Sequence, residues 1–470
     1  MTETVKRAYS LDALRGYAIL TMVLSATVAG GILPGWMYHA QTPPPTHEFN
    51  PAVPGLTWVD LVFPFFLFAM GAAFPFSIKK RRERGESNVR LVLDALLRGV
   101  QLAFFAIFIQ HFYPYMLSNP QDVRSWLLAI LCFAVLFPMF MRLPWKGLPQ
   151  WVHIGVKVGA YAAAVLMLAT VDYASGPFSL YTSNVIILLL ANMAVFGSVV
   201  YIFTMDNWLA RIAVMAVLLG ITLSAGADGS WTATLFDYTP FPWLYKFDYL
   251  KYLFIVLSGS MAGDYLLRWM RMPEAGGQDD PGKWRAVACL LLAVALIVSN
   301  LVCLYARWLA ANLVISIVLT AAMYFVLRRH TGAAWLWFKL GCLGAGLLLI
   351  GLCFEPYQGG IKKDYATISY FFVTSGLASM ALVAFHVVCD YFKCRRGTAF
   401  LVMSGQNPMV AYVAGDLLVM PVLNLCGVLA PMLAFMHTNA WLGFLQGVLL
   451  TALSLLVTMF FTRIKWYWRT

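Results

Sequence analysis

Two of the chain's seven histidines, His39 and His47, fall in one polar, proline-rich loop that leads into an apolar run carrying a single acid, Asp60, near its mouth. An imidazole oriented by a carboxylate is what a general base needs near neutral pH. Either His39 or His47 can supply the imidazole, and either Asp60 or Glu48 the carboxylate. His111 reads as a helix-end residue and His386 as a hydrogen-bonded core histidine. Asp94, Asp264, Asp390 and Asp416 within apolar runs, and Glu355 and Asp364 beside them, each need a partner, a wet cavity or a task, because charge in hydrocarbon costs kilocalories.

The run holding Asp60 ends in Lys79, Lys80, Arg81, Arg82, Glu83 and Arg84, the densest basic cluster of the chain. Such cations suit the phosphates of a nucleotide-type cofactor, and they suit anionic lipid as well. Asp12 and Arg15 open the first apolar run as a pair, with Ser10 or Asp12 as its helix cap. Ser404-Gly405-Gln406-Asn407-Pro408 interrupts a late apolar run, and a proline break frees backbone groups that must face protein or a wet cavity. Asn407 is therefore a site candidate. The eight cysteines lack CxxC pairs and histidine partners at metal spacing, so they read as core fillers. Glycine-rich phosphate loops, zinc motifs and nucleophile elbows are absent from the sequence.

The elements that must position these groups follow from composition. With 61% hydrophobic residues, 11% charged residues and a mean hydropathy of +0.75, the chain excludes a soluble partition into core and surface. The net charge of +12 resides in bases flanking apolar runs, where it orients spans and argues for no nucleic-acid partner. About 20 apolar residues per crossing predict an all-α polytopic transmembrane bundle of about 14 spans, range about 11–14. The first runs are about 11–32 and 57–78, the late broken run is about 400–425 and the last about 440–462. The first run reads as a retained span, since no small-residue cleavage site follows it. Placing the basic connectors inside puts both termini in the cytoplasm and the loop of His39 and His47 outside. The polar segment 272–283 is the clearest linker. It separates an N-terminal membrane half, 1–271 with its loop 33–57, from a C-terminal half, 284–470. A second outward loop, about 226–248, mixes aromatic and polar residues as an interfacial belt or a sugar-contacting surface does.

Ser10-Leu11-Asp12-Ala13-Leu14-Arg15-Gly16, the histidine-bearing loop, and Gly55-Leu56-Thr57-Trp58-Val59-Asp60-Leu61-Val62-Phe63-Pro64 onward to Gly71 together resemble the transmembrane acyltransferase family of heparan-α-glucosaminide N-acetyltransferase and its bacterial relatives. Weaker echoes occur at Ser258–Asp264 and Gly405–Val413. The resemblance implies a multi-pass protein of a bacterial inner membrane that takes acetyl-CoA as co-substrate from the cytoplasm and acetylates an amino sugar or glycan on the far side. It implies His39, in Tyr38-His39-Ala40-Gln41, as the essential histidine if the proline-rich stretch is an insertion, with His47 nearer Gly55 as the alternative. In that reading Asp60 orients the histidine, while Lys79, Lys80, Arg81 and Arg15 take the phosphates of the cofactor and Asn407 faces the thioester. The expected partners are acetyl-CoA, the acceptor, membrane lipid and a second copy in a homodimer. Some bacterial relatives carry the label of N-acetylglucosamine transporter, and a polysaccharide or lipid O-acyltransferase would keep the chemistry while changing the acceptor.

Overall fold

A computed structural model describes residues 7–141, 149–272, 281–328 and 332–469. Among them the only β-pairing is two isolated bridges, Met141 to Trp468 and Phe241 to Tyr245, and the rest of the regular structure is helical. Twelve of the described helices are long and apolar enough to cross a membrane, which makes this a multi-pass membrane protein. In chain order the long helices are α1 (Tyr9–Thr27), α2 (Trp58–Glu83), α3 (Asn88–His111), α4 (Val123–Phe140), α5 (Gln150–Thr170), α6 (Val185–Thr204), α7 (Trp208–Ser224) and α8 (Phe247–Arg271). They continue with α9 (Lys283–Tyr305), α10 (Leu309–Leu327), α11 (Gly332–Phe354), α12 (Ile368–Tyr391), α13 (Arg395–Gln406), α14 (Pro408–Leu425) and α15 (Ala440–Arg463). The twelve exclude α1, whose first two turns hold Asp12 and Arg15, and the shorter helices α7, of 17 residues, and α13, of 12 residues.

The late broken run is divided at Asn407. Helix α13 packs along the first turns of α1, with Gly405 against the Asp12 carbonyl and Gly16 against the Leu401 carbonyl, and α14 starts afresh at Pro408. Pro408 fits the first turn of α14 because its missing N–H would be unpaired there in any case. The cap of α1 also differs from the sequence expectation. Neither Ser10 nor Asp12 caps it; the Asp390 carboxylate, from the end of α12, accepts the backbone N–H groups of Tyr9 and Ser10 at 3.2 and 3.1 Å. Asp12 instead takes Arg7 at 2.7 Å and Arg15 at 3.8 Å.

Helices α2 and α12 are the most deeply buried of the crossing helices, and α5 and α10 present most of their surface outward, as lipid-facing helices do. Without a hydrophobic force between helices in lipid, close approach rests on small residues. Gly259 and Gly263 of α8, spaced as GxxxG, put backbone on backbone: a side-chain carbon at Gly259 would stand 2.1 Å from the Phe68 carbonyl oxygen of α2.

The two ends of the bundle differ. One is basic: Arg271 bonds Glu83 at 2.7 Å, Arg395 lies over the Tyr9 ring, and the tail runs back beside Met141. The other is built of loops, in which Gly55 N–H donates to the Ile361 carbonyl and Gln41 bonds the backbone of Asp364 in both directions. Contacts run between the segments before and after the expected linker: α1 packs on α13 and α15, and α2 on α12. Segments 142–148, 273–280 and 329–331 lie outside the described residues, so most of the expected linker and two basic connectors are not placed.

Candidate active site

Thr57 and Asp60 stand three residues apart at the start of α2, the spacing at which a side chain reaches back over the first helical turn. Asp60 Oδ2 accepts the Thr57 backbone N–H at 3.0 Å and that of Ala40 at 3.3 Å, while Thr57 Oγ donates to the Tyr38 carbonyl at 2.8 Å. The same acid thus caps the helix and pins the loop. Its second oxygen, Oδ1, lies 2.7 Å from His39 Nδ1. A carboxylate only accepts, so the proton of this bond is on Nδ1 and Nε2 keeps its lone pair. Asp60 is 2% exposed and His39 keeps about a third of its side-chain surface, so a buried anion orients an accessible imidazole.

Pro64 lies one turn into α2 and has no N–H to give to the Asp60 carbonyl. Tyr370 of α12 takes its place: its hydroxyl donates to that carbonyl at 2.9 Å. A proline within a span is tolerated where a neighbouring helix satisfies the freed group in this way.

Lys363, from the loop between α11 and α12, places Nζ 3.2 Å from each ring nitrogen of His39, so that its ammonium is the donor facing the Nε2 lone pair. Sequence reading missed this residue. The signal was present, since Lys362 and Lys363 form a basic pair immediately before Asp364, an acid that the sequence does single out. The group opens on a cavity of about 520 Å³ lined by His39, Lys363, Asp364, Tyr252, Tyr412 and Asp416 among others, within the size range of small-molecule sites.

His47 does not line this cavity. It adopts φ 54°, accepts the Gly31 N–H on Nε2 at 2.9 Å and approaches the Thr42 carbonyl with Nδ1 at 3.1 Å, so both ring nitrogens hold the loop backbone. Glu48 is exposed and makes no bond to His39. His111 lies at the end of α3 on the Ile107 carbonyl, and buried His386 accepts the Trp337 indole N–H at 2.9 Å. Glu355 pairs with Arg307 at 2.5 Å and Asp264 with Arg211 at 2.9 Å.

The cofactor candidates are at the opposite end. Asp60 and Lys79 are 19 residues apart on α2, about 28 Å at 1.5 Å per residue. Lys79 bonds Asp206 at 3.1 Å, Lys80 is exposed, and Arg81 binds Glu86 and Asp94. Beside Arg81 is a cavity of about 420 Å³ whose wall includes Arg98, Lys157, Arg469 and Asp94. Arg15 lines a neighbouring cavity of about 340 Å³ with Arg7 and Arg469. Asn407 is buried with both amide atoms engaged: Nδ2 donates to the Trp466 carbonyl at 2.9 Å and Oδ1 accepts the Trp468 N–H at 3.2 Å. It anchors the tail at the basic end, on the far side of the bundle from His39. Among the described residues no cluster of histidine, cysteine or acidic side chains has a metal-holding arrangement.

Fold and site together define a multi-pass helical membrane protein in which a carboxylate-oriented histidine faces a cavity. The chain belongs to the DUF5009 family, described as a domain of unknown function, whose model matches residues 7–266. That span includes His39 and Asp60 but neither Lys363 nor Asp416. No curated protein matches the chain.

Proposed function

We propose that the protein is a membrane-embedded acetyltransferase that moves the acetyl group of cytoplasmic acetyl-CoA to an amino sugar or glycan on the other side of the membrane. The observation that carries this reading is the His39–Asp60 pair, in which a buried carboxylate held by backbone N–H groups fixes the tautomer of an imidazole that faces a cavity. Nε2 then either removes the proton of the acceptor amine as it attacks the thioester carbon, or takes the acetyl group itself and passes it on. In both routes the C–S bond breaks, the thiol leaves with one proton and the acetyl group ends on the acceptor. Lys363 beside Nε2 is suited to the oxyanion that forms on the thioester carbonyl.

By the positive-inside rule the basic end is cytoplasmic, in an inner membrane, and the His39 cavity opens outward. Arg98, Lys157 and Arg469 around the 420 Å³ cavity, with Arg81 at its edge, would hold the cofactor's phosphates. The pantetheine arm would then run along the bundle toward His39.

The test is purified protein in detergent with radiolabelled acetyl-CoA and a panel of amino sugars. Wild type is expected to label a sugar, and His39→Ala to lose the label by about 10²-fold or more. Folded wild type that transfers nothing, yet accumulates N-acetylglucosamine in reconstituted vesicles, would replace the enzyme reading with a transporter.

A further inference from the structure

Two acids of the His39 cavity have no side-chain role in the arrangement described so far: Asp364, in the loop before α12, and Asp416, which alone of the two lies within a crossing helix. Asp416 lies in α14, where Gly415–Val419 form a π-helical turn, a local insertion that often accompanies function because it re-aims a side chain. Gly415 and Leu417 on either side are buried, whereas the Asp416 side chain is exposed and lines the 520 Å³ cavity. It makes no hydrogen bond or ion pair with any described residue. The cavity's lysine, Lys363, is engaged with His39.

Its surroundings are aromatic. Tyr412 stands one turn earlier on the same face of α14 and also lines the cavity. Tyr113 and Tyr115, stacked at 5.7 Å between centroids, are near enough to feel the carboxylate: burial pushes the Tyr115 phenol up, and Asp416 adds to that effect. An unpaired carboxylate within a membrane span costs several kilocalories unless a cation completes it. The buried acid of the site, Asp60, has its protein partner in His39.

We propose that Asp416 is the recognition residue for a primary ammonium group on the acceptor, so that the cavity selects amines over the corresponding alcohols. This rests on the acetyl-transfer reading for the place of the acceptor, and it assigns Asp416 a positioning and specificity role. Within the cavity the pair passes one proton, ammonium plus carboxylate becoming amine plus carboxylic acid, which frees the nitrogen lone pair for His39-assisted attack.

Binding without acetyl-CoA isolates this step. Titration calorimetry on the full chain in detergent would compare D-glucosamine with D-glucose, which carries a hydroxyl where the amine stands, for wild type, Asp416→Asn and Asp416→Glu. Wild type is expected to prefer glucosamine by about 10- to 100-fold, the range of a charge-assisted hydrogen bond. Asp416→Asn should bring glucosamine down to the glucose level without moving glucose, and Asp416→Glu should restore part of the preference. A preference unchanged in Asp416→Asn, an equal loss for both sugars, or no preference in wild type overturns the assignment. His39-dependent acetyl transfer measured on the same preparation separates the two readings. Transfer that persists without an amine preference defeats the Asp416 assignment alone, and an Asp416-dependent preference without transfer upholds it while the acetyltransferase reading falls.

Discussion

His39 and His47 share a loop and a residue type, and what separates them is where each nitrogen's partner lies. His39 meets a buried anion and keeps Nε2 toward a cavity, while His47 gives both nitrogens to the backbone. His47→Asn, which tolerates the positive φ, should therefore cost about 1–3 kcal/mol of stability through the two lost bonds, read as a lower melting temperature, and leave turnover per folded molecule within a few-fold. Asp60→Asn is the converse case. The amide oxygen still accepts the capping N–H groups, so folding should persist. The charge that stabilises an imidazolium or acetyl-imidazolium is gone, so the rate should drop about 10²–10⁴-fold in the radiolabel assay with little change in KM for acetyl-CoA. The sequence placed both histidines and the acid in one stretch. It did not decide between the histidines, because hydrogen-bond partners of a loop depend on how the loop folds back.

At the scale of elements, the start of α2 is fixed by a bargain between two helices. Thr57 and Asp60 cap the helix from within its own first turn, but Pro64 opens the hydrogen-bond ladder one turn later, and the repair comes from Tyr370, some 310 positions along the chain. Tyr370→Phe leaves the Asp60 carbonyl unpaired in a buried setting. A loss of about 1 kcal/mol is expected, visible as a lower melting temperature in detergent, together with reduced transfer because the turn that aims Asp60 loosens. The start of α1 follows the same logic, with its cap supplied by Asp390 of α12. Periodicity reported these helices well and their ends poorly, since the groups that complete the ends come from other helices.

At the scale of the whole molecule, the bundle sorts charge: bases gather at one end and the His39 cavity occupies the other. Cys394 and Cys426 are exposed in connectors on either side of the single crossing α14, whereas Cys132, Cys289, Cys303 and Cys389 are buried. An impermeant thiol reagent applied to intact cells should label Cys426 and spare Cys394 if the basic end is cytoplasmic, and inverted vesicles should reverse the pattern. The exposed half of the cysteines, including Cys342 and Cys353, also departs from the reading of all eight as core fillers. The sequence by itself determined the class, because an apolar content this high leaves only spanning helices as a way to satisfy the backbone, and it determined the approximate runs, the basic end and the Asp60 neighbourhood. Only the tertiary structure brought Lys363, Tyr370, Tyr412 and Asp416 to that neighbourhood, and only it turned Asn407 toward the tail. The reason is physical: spans are specified locally by hydropathy, whereas a cavity between spans depends on which helices pack side by side. That choice is made by small-residue contacts and interhelical hydrogen bonds between positions far apart in sequence.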